Sequence, residues 1–373
     1  MKILIKDSSI LTMDSKRLFI DRGYVYIDRD RIVAVGEGEP QPEFEFADYI
    51  INDRFTVLLP GFTVGLGDII SYLFRFIENP MDTRGIIDTL SKGDLNALIE
   101  VALTSLVANG ATSIITLLHN TDPKILSAIV SAASSNWIRT RIVLLDSSID
   151  LDSIENDIRN ALKSSRDPEA VSRNIISFGL YIKNESVIKK IASIINSTTI
   201  SIYVDSAIQQ TLYDTFPDFE NKHVIVVNPT TAYTKCIFSE IELWKYNCGI
   251  SPYNPILLNP KRLLQRLYHI INDEEKSIAI LSSLNPANHG MGSGVIKENT
   301  LADVIILDFS EPPYGPIPMT RRAIASEMIN ASFLVKTVII GGEIVLDNGV
   351  LLTIGRESIV RVQNLLKEFE STI

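Results

Sequence analysis

LLPGFTVGLGDII, residues 58–70, decides how the rest of the chain is read. An apolar lead-in meets the break Pro60-Gly61-Phe62, a short strand-like run TVGLG follows, and Asp68 then stands before the amphipathic pattern IISYLFRFIE. A strand feeding directly into a helix is the repeating unit of an α/β architecture. Asp favours the N-cap because its oxygen accepts from backbone N–H groups that a helix start leaves open. Asp68 therefore reads as a cap, and the competing reading is a carboxylate at the top of the first strand acting as general base or ligand.

Working forward, the same unit repeats. DLNALIEVALTSLVANG reads as a helix ended by Asn109-Gly110, and ATSIITLL as the next strand. PKILSAIVSAASSNW and TRIVLLDS, LDSIENDIRNALKSS and NIISFGLYIKN, and ESVIKKIASIINS and TISIYVDS continue the order. HVIVVNP, SEIELWKYN and CGISPYNP follow, giving seven strand-like runs with TVGLG. This order predicts a parallel sheet closed into a TIM-like (β/α) barrel over 58–299. An open doubly wound sheet fits the alternation too, but no Gly-x-Gly-x-x-Gly follows a strand and opens a helix. After Pro260 the patterns KRLLQRLYHIIN and EEKSIAILSSL are helical, and no eighth strand is visible, so the barrel is expected to be distorted or shortened.

Both ends of the chain have period two instead. KILIKDSSILTM and RLFIDRGYVYIDRDRIVAVGEG read as an antiparallel meander over 1–57, with turns at Asp21-Arg22-Gly23 and Asp28-Arg29-Asp30. ADVIILDF and FLVKTVIIGGEIVLDNGVLL restore that character over 300–355, with a turn at Asp347-Asn348-Gly349. The two ends are expected to join as a small composite β-sandwich, with a terminal helix over 356–373.

The 373 residues carry a net charge of −10, with 46% hydrophobic and 21% charged residues, a globular composition large enough for a sizeable core. No Lys/Arg stripe interleaves with aromatics, so nucleic acid is not an expected partner. The opening MKILIKDSSILTMD lacks the apolar core of a signal peptide and no apolar run is long enough for a bilayer, which predicts a cytoplasmic protein without a membrane partner. Two isolated cysteines, Cys236 and Cys248, support neither a disulfide framework nor a cysteine-rich zinc site.

Four stretches together, KILIKDSSILTMD with RIVAVGE, LLPGF, SGVIKENTLADVIILD, and VKTVIIGGEIVLDNG, resemble the amidohydrolase superfamily. The resemblance is to its branch of deaminases and chlorohydrolases related to cytosine, guanine and S-adenosylhomocysteine deaminases, and it runs over most of the chain. It implies a composite β-sandwich from the first and last two stretches, and a first barrel strand after Pro60-Gly61-Phe62. Where that family tends to place a glycine before its Ala-Asp strand, this chain has Glu298-Asn299-Thr300, and Asn tolerates a left-handed turn.

The metal ligands that the resemblance implies do not carry over. Register on Pro60-Gly61-Phe62 puts Leu66 and Asp68 at the His-x-His positions, Tyr203 at the fifth-strand histidine, Ser206 near the catalytic Glu, and Asn228 at the sixth-strand histidine. A hydrolytic zinc or iron site needs at least three converging imidazole or carboxylate ligands and an open position for water. The four histidines, His119, His223, His269 and His289, do not read as convergent. No metal or other cofactor is therefore expected.

The residues expected at the barrel mouth are Asp68, His119, Tyr203, Asp205, Asn228 and Tyr253. Each also has a structural reading: His119 as a satisfied rim histidine, Asp205 as a helix cap, Tyr253 as part of a stiff turn between prolines. The leading functional expectation is an amidohydrolase-like protein without the family's metal centre, non-catalytic or holding a small polar molecule at the mouth. One alternative is a hydrolase of C–N bonds, of the heterocyclic amine deaminase type, with a relocated metal-independent site. Another is a structural subunit that forms a homo-oligomer or pairs with an active relative.

Overall fold

Strand β5, Thr56–Pro60, is buried along its whole length and binds the two ends of the chain into one sheet. It pairs in parallel with β1 (Lys2–Leu11), Ser9 opposite Val57, and antiparallel with β12 (Val304–Asp308), Val304 opposite Pro60. The computed structural model describes residues 1–74, 83–118, 122–145, 151–163, 165, 168–182, 184–185, 201–205, 214, 224–227 and 258–372. The chain packs as two compact units. The first comprises Met1–Val64, Leu106–Ser113 and Asn259–Leu352, the second Gly65–Ser105, Ile114–Leu258 and Thr353–Ile373.

The first unit holds a nine-stranded sheet, A, in the order β15-β14-β13-β12-β5-β1-β2-β3, with β4 also on β1. Its remaining strands are β2 (Phe19–Asp28), β3 (Arg31–Glu37), β4 (Tyr49–Asn52), β13 (Leu334–Ile340), β14 (Glu343–Asp347) and β15 (Val350–Leu351). A cluster that includes Ile3, Ile5, Val25, Ile27, Leu58, Val304, Ile306 and Ile339 packs on it. These residues come from both ends of the chain, and neither end could bury its apolar face by itself. Asn348 and Gly349, with φ of 48° and 75°, make the tight β14–β15 turn expected there, and Asn299 takes the expected left-handed conformation at φ 67°.

One expected turn is corrected. Asp21-Arg22-Gly23 lies inside β2, where Gly23 faces Ser8 between two shifts of register. A side chain at Gly23 would bring a Cβ to 2.4 Å from the Gly36 carbonyl oxygen. The glycine there serves the close approach of β3 and not a change of direction, and the turn comes later, at Arg29 with φ 56°.

Sheet B has six strands among the described residues, in the order β11-β10-β9-β8-β7-β6. They are β6 (Phe62–Gly67), β7 (Ala111–Leu118), β8 (Arg139–Leu145), β9 (Ile176–Ile182), β10 (Ser201–Asp205) and β11 (Val224–Val227), and β8 to β11 run parallel. Helices α1 (Ile69–Leu73), α2 (Thr83–Thr89), α3 (Lys92–Val107), α4 (Pro123–Ser135), α5 (Leu151–Leu162) and α6 (Pro168–Ser172) alternate with them. Sequential strands adjacent and in order are the topology of a (β/α) barrel wall, of which six strands lie among the described residues. The expected helix over 186–197 and the elements over 239–255 lie outside the described residues. The chain continues in α7 (Pro260–Ile271) and α8 (Glu274–Ala279). A π-helical stretch Ile280–Leu284 leads into α9 (Asn285–His289), followed later by α10 (Arg321–Ile329) and α11 (Arg356–Thr372). Among the described residues no helix is long and apolar enough to cross a membrane.

Candidate functional site

The register of β8, β9 and β10 sorts their residues onto two faces. Arg141 is opposite Ser177, Val143 opposite Gly179, and Leu145 opposite Tyr181, while Ser201 is opposite Gly179 and Tyr203 opposite Tyr181. Because strand side chains alternate with period two, these residues share a face. Ile142, Leu144, Ile176, Phe178, Leu180, Ile182, Ile202 and Val204, with Thr140 at one end, make the other face, which is apolar but for that threonine and suited to the helices that cover a parallel sheet. Helices α4 and α6 do contact β9. The first face is thus the interior of the barrel wall, where Arg141, Ser177, Tyr181, Ser201 and Tyr203 stand beside Val143, Leu145 and Gly179.

On that face Arg141, 5% exposed, spans β9. Its Nε donates to Ser177 Oγ at 3.0 Å and its Nη1 to Tyr203 Oη at 3.3 Å. Tyr203 is fully buried. Burial pushes its hydroxyl above the usual phenol range, while the charge and hydrogen bond of Arg141 pull the other way. The group is a neutral phenol in the physiological range. Its ring lies over Gly179, where a Cβ would come within 2.8 Å of Tyr203 Cε2, so the missing side chain on β9 makes the room that Tyr203 occupies. Lower in the wall Arg139, 2% exposed, donates from Nη1 to the carbonyl of Asn174 at 3.0 Å.

At the end of β6, Leu66 is buried, 3% exposed. Asp68 is the N-cap of α1, its Oδ1 accepting from Ile70 N at 2.8 Å. Thr116 Oγ1 on β7 accepts from the neighbouring Ile69 N at 3.2 Å. Two of the open N–H groups of this helix start are served by one side chain from its own loop and one from the adjacent strand. Asp68 is half-buried and does the capping expected of it.

Of the other expected mouth residues, Asp205 closes β10, paired in register with Val227. His119, Asn228 and Tyr253 lie outside the described residues. The described geometry brings Tyr203 together with Arg141 and Ser177, two residues that read from the sequence as ordinary strand positions. The available signal was an arginine in the otherwise apolar run TRIVLLDS, since a charged residue in a buried strand must find partners.

A zinc or iron hydrolase centre would need three or more nitrogen, sulfur or carboxylate donors converging on one point. Among the described residues no three of His, Cys, Asp and Glu do so. Leu66 offers only carbon, and a neutral phenol held by a guanidinium is a poor ligand for such a cation. The described residues do not fit the metal.

No family model matches the chain, and no curated protein does. Solved structures do. An atrazine chlorohydrolase from Arthrobacter aurescens TC1, complexed with zinc, superposes with a TM-score of 0.75 over 98% of this chain and 100% of its own, at 13% identity. An adenosine deaminase from Xanthomonas campestris with bound zinc gives 0.69 over 99% and 98%, at 12% identity. An amidohydrolase from an environmental sample of the Sargasso Sea gives 0.65 over 99% and 100%, at 12% identity. At these identities the likeness shows the fold, a TIM-like barrel of the kind that amidohydrolases use, with a separate β-sheet; where the motifs at the chain ends imply a composite β-sandwich, the two ends meet in the single sheet A.

Proposed function

We propose that this chain is an amidohydrolase-like protein without the metal centre typical of that fold, which holds a small polar ligand at the barrel mouth instead of hydrolysing it. The observation that carries the reading is Leu66. Where relatives that use a metal would set a histidine, a buried hydrocarbon packs at the end of the first barrel strand, and among the described residues no cluster of donors can supply the bond in its place. The second support is the Arg141–Tyr203–Ser177 network, which places a fixed positive charge inside the barrel wall.

Metal content decides it. Protein made in medium supplemented with zinc, iron and manganese, and purified without a histidine tag or chelator, is expected to carry far less than one metal per chain by mass spectrometry. A stoichiometric metal in folded protein would overturn the proposal and return the chain to the hydrolases.

A further inference from the structure

Helix α11, Arg356–Thr372, turns one stripe of side chains inward. Over residues 356–369, Val362 is buried and Ser358, Leu365, Leu366 and Phe369 are half-buried, while the rest are exposed. Spacings of three and four residues put that stripe on one face. Ser358 Oγ donates to Glu100 Oε2, on α3, at 2.5 Å. Arg361 donates from Nε to Asp94 Oδ1 at 2.5 Å and from Nη2 to Ser91 Oγ at 3.4 Å. Ser91 and Asp94 are themselves the start of α3, where Ser91 Oγ accepts from Asp94 N at 3.1 Å and donates to the Asp94 carboxylate. The Arg361 guanidinium lies against Gly93, where a Cβ would come to 2.9 Å from both Nη1 and Nη2, so the glycine gives the clearance that this clasp needs.

Farther along α11 the Phe369 ring meets that of Phe74, with centres 6.1 Å apart. Phe74, 4% exposed, is the C-cap of α1, a helix of five residues. One end of α1 is therefore fixed by Asp68 and Thr116 and the other packs against α11. The clasp itself is open to water: the Arg361 and Asp94 side chains are 50% and 21% exposed, and an ion pair so placed holds weakly. A helix of 17 residues is marginal in water by itself, so α11 keeps its form by staying docked.

We infer that α11 is a latch on the first helical unit of the barrel: it opens and melts as one segment without global unfolding, and α1 loosens with it because Phe74 loses its partner. Since α1 begins at Asp68, at the end of the first barrel strand, the latch sets how firmly that side of the mouth is held. The inference rests on packing within the second unit and holds whatever the barrel binds.

Hydrogen exchange of the intact chain at neutral pH, without denaturant and corrected for intrinsic rates, tests it by peptide mass spectrometry. Amides of residues 356–369, and those of Tyr72 and Phe74, which donate to the carbonyls of Asp68 and Ile70, are expected to exchange at least about tenfold faster than those of β8 and β12. Arg361→Gln removes the charge of the clasp and should speed both segments by the same factor, about threefold, with β8 and β12 unchanged. Exchange over 356–369 as slow as in β12 would show that α11 opens only with the whole fold. Acceleration there with none at Tyr72 and Phe74 would break the coupling, and either result overturns the inference.

Discussion

Arg141 and Tyr203 stand on β8 and β10, strands that are not paired with each other, and meet 3.3 Å apart across the intervening β9 because β9 presents Gly179 between them. The pair ties three strands of the barrel wall through one guanidinium. That role makes definite demands on both partners.

Replacing Tyr203 by Phe keeps the ring over Gly179 and removes only the oxygen. The loss leaves a buried guanidinium donor with one acceptor fewer, a cost of about 1–3 kcal/mol. Arg141→Met removes the charge together with its donors, and relieves the desolvation that the charge imposes. The expected order in denaturant midpoints is therefore wild type above both, with Tyr203→Phe falling at least as far as Arg141→Met. If Tyr203→Phe unfolds at the wild-type midpoint, the bond contributes nothing.

Gly179→Ala tests the same contact from below. A Cβ there would lie 2.8 Å from Tyr203 Cε2 and 3.0 Å from the Ser201 carbonyl oxygen, one of them backbone that cannot step aside. Overpacking of this kind costs about 1–3 kcal/mol. In the Gly179→Ala, Tyr203→Ala double variant, thermal unfolding should show part of the alanine penalty relieved; simple additivity would place the clash elsewhere.

Asp68→Ala should lower stability by about 1 kcal/mol, the ordinary worth of an N-cap, and Asp68→Asn should recover most of it. Both are read from urea midpoints. If any turnover or ligand binding is found, recovery by Asn separates capping from proton transfer, because an amide caps as well as a carboxylate but cannot act as a base.

Lys336 on β13 donates to both Asp53 and Asp308, the latter at 3.2 Å, with all three side chains under a quarter exposed. Burial alone would raise the Asp308 pKa, but the hydrogen bonds from Ser310 and Lys336 and the lysine's charge together hold it below the usual value of 3.8. Burial likewise opposes the charge on Lys336, and the two carboxylates outweigh it and raise its pKa above 10.5. The Asp308 contribution is full above the unfolded carboxylate value and is lost as pH falls through the lower folded one; the Lys336 contribution is full below 10.5 and is lost as pH rises through the higher folded value. Lys336→Met should therefore cost about 1–3 kcal/mol near neutral pH and progressively less below pH 4, measured by chemical unfolding across that range. An equal penalty at pH 3 and pH 7 would show that packing of the lysine stem, not its charge, matters here.

The barrel was legible because β-branched strands and amphipathic helices alternate with short breaks, a signal that lies within a dozen neighbouring residues. Asp68 was legible for the same reason, since a cap acts two residues along its own chain. The Arg141–Tyr203 pair joins positions 62 apart, and nothing in TRIVLLDS or TISIYVDS says which strand will lie between them. Gly23 misled for a related reason: Asp-Arg-Gly is turn chemistry locally, and only the arrival of the Gly36 carbonyl explains the glycine as clearance.

Strand β5 has a consequence for synthesis. Thr56 to Pro60 leave the ribosome long before Val304 to Asp308, the partner on one side of the strand, are made. Until then a strand buried throughout in the finished protein has an open hydrogen-bonding edge, the template on which foreign strands add. Premature termination or a ribosome stall before residue 304 would expose that edge, so fragments of this protein should aggregate through β5 while the completed chain does not.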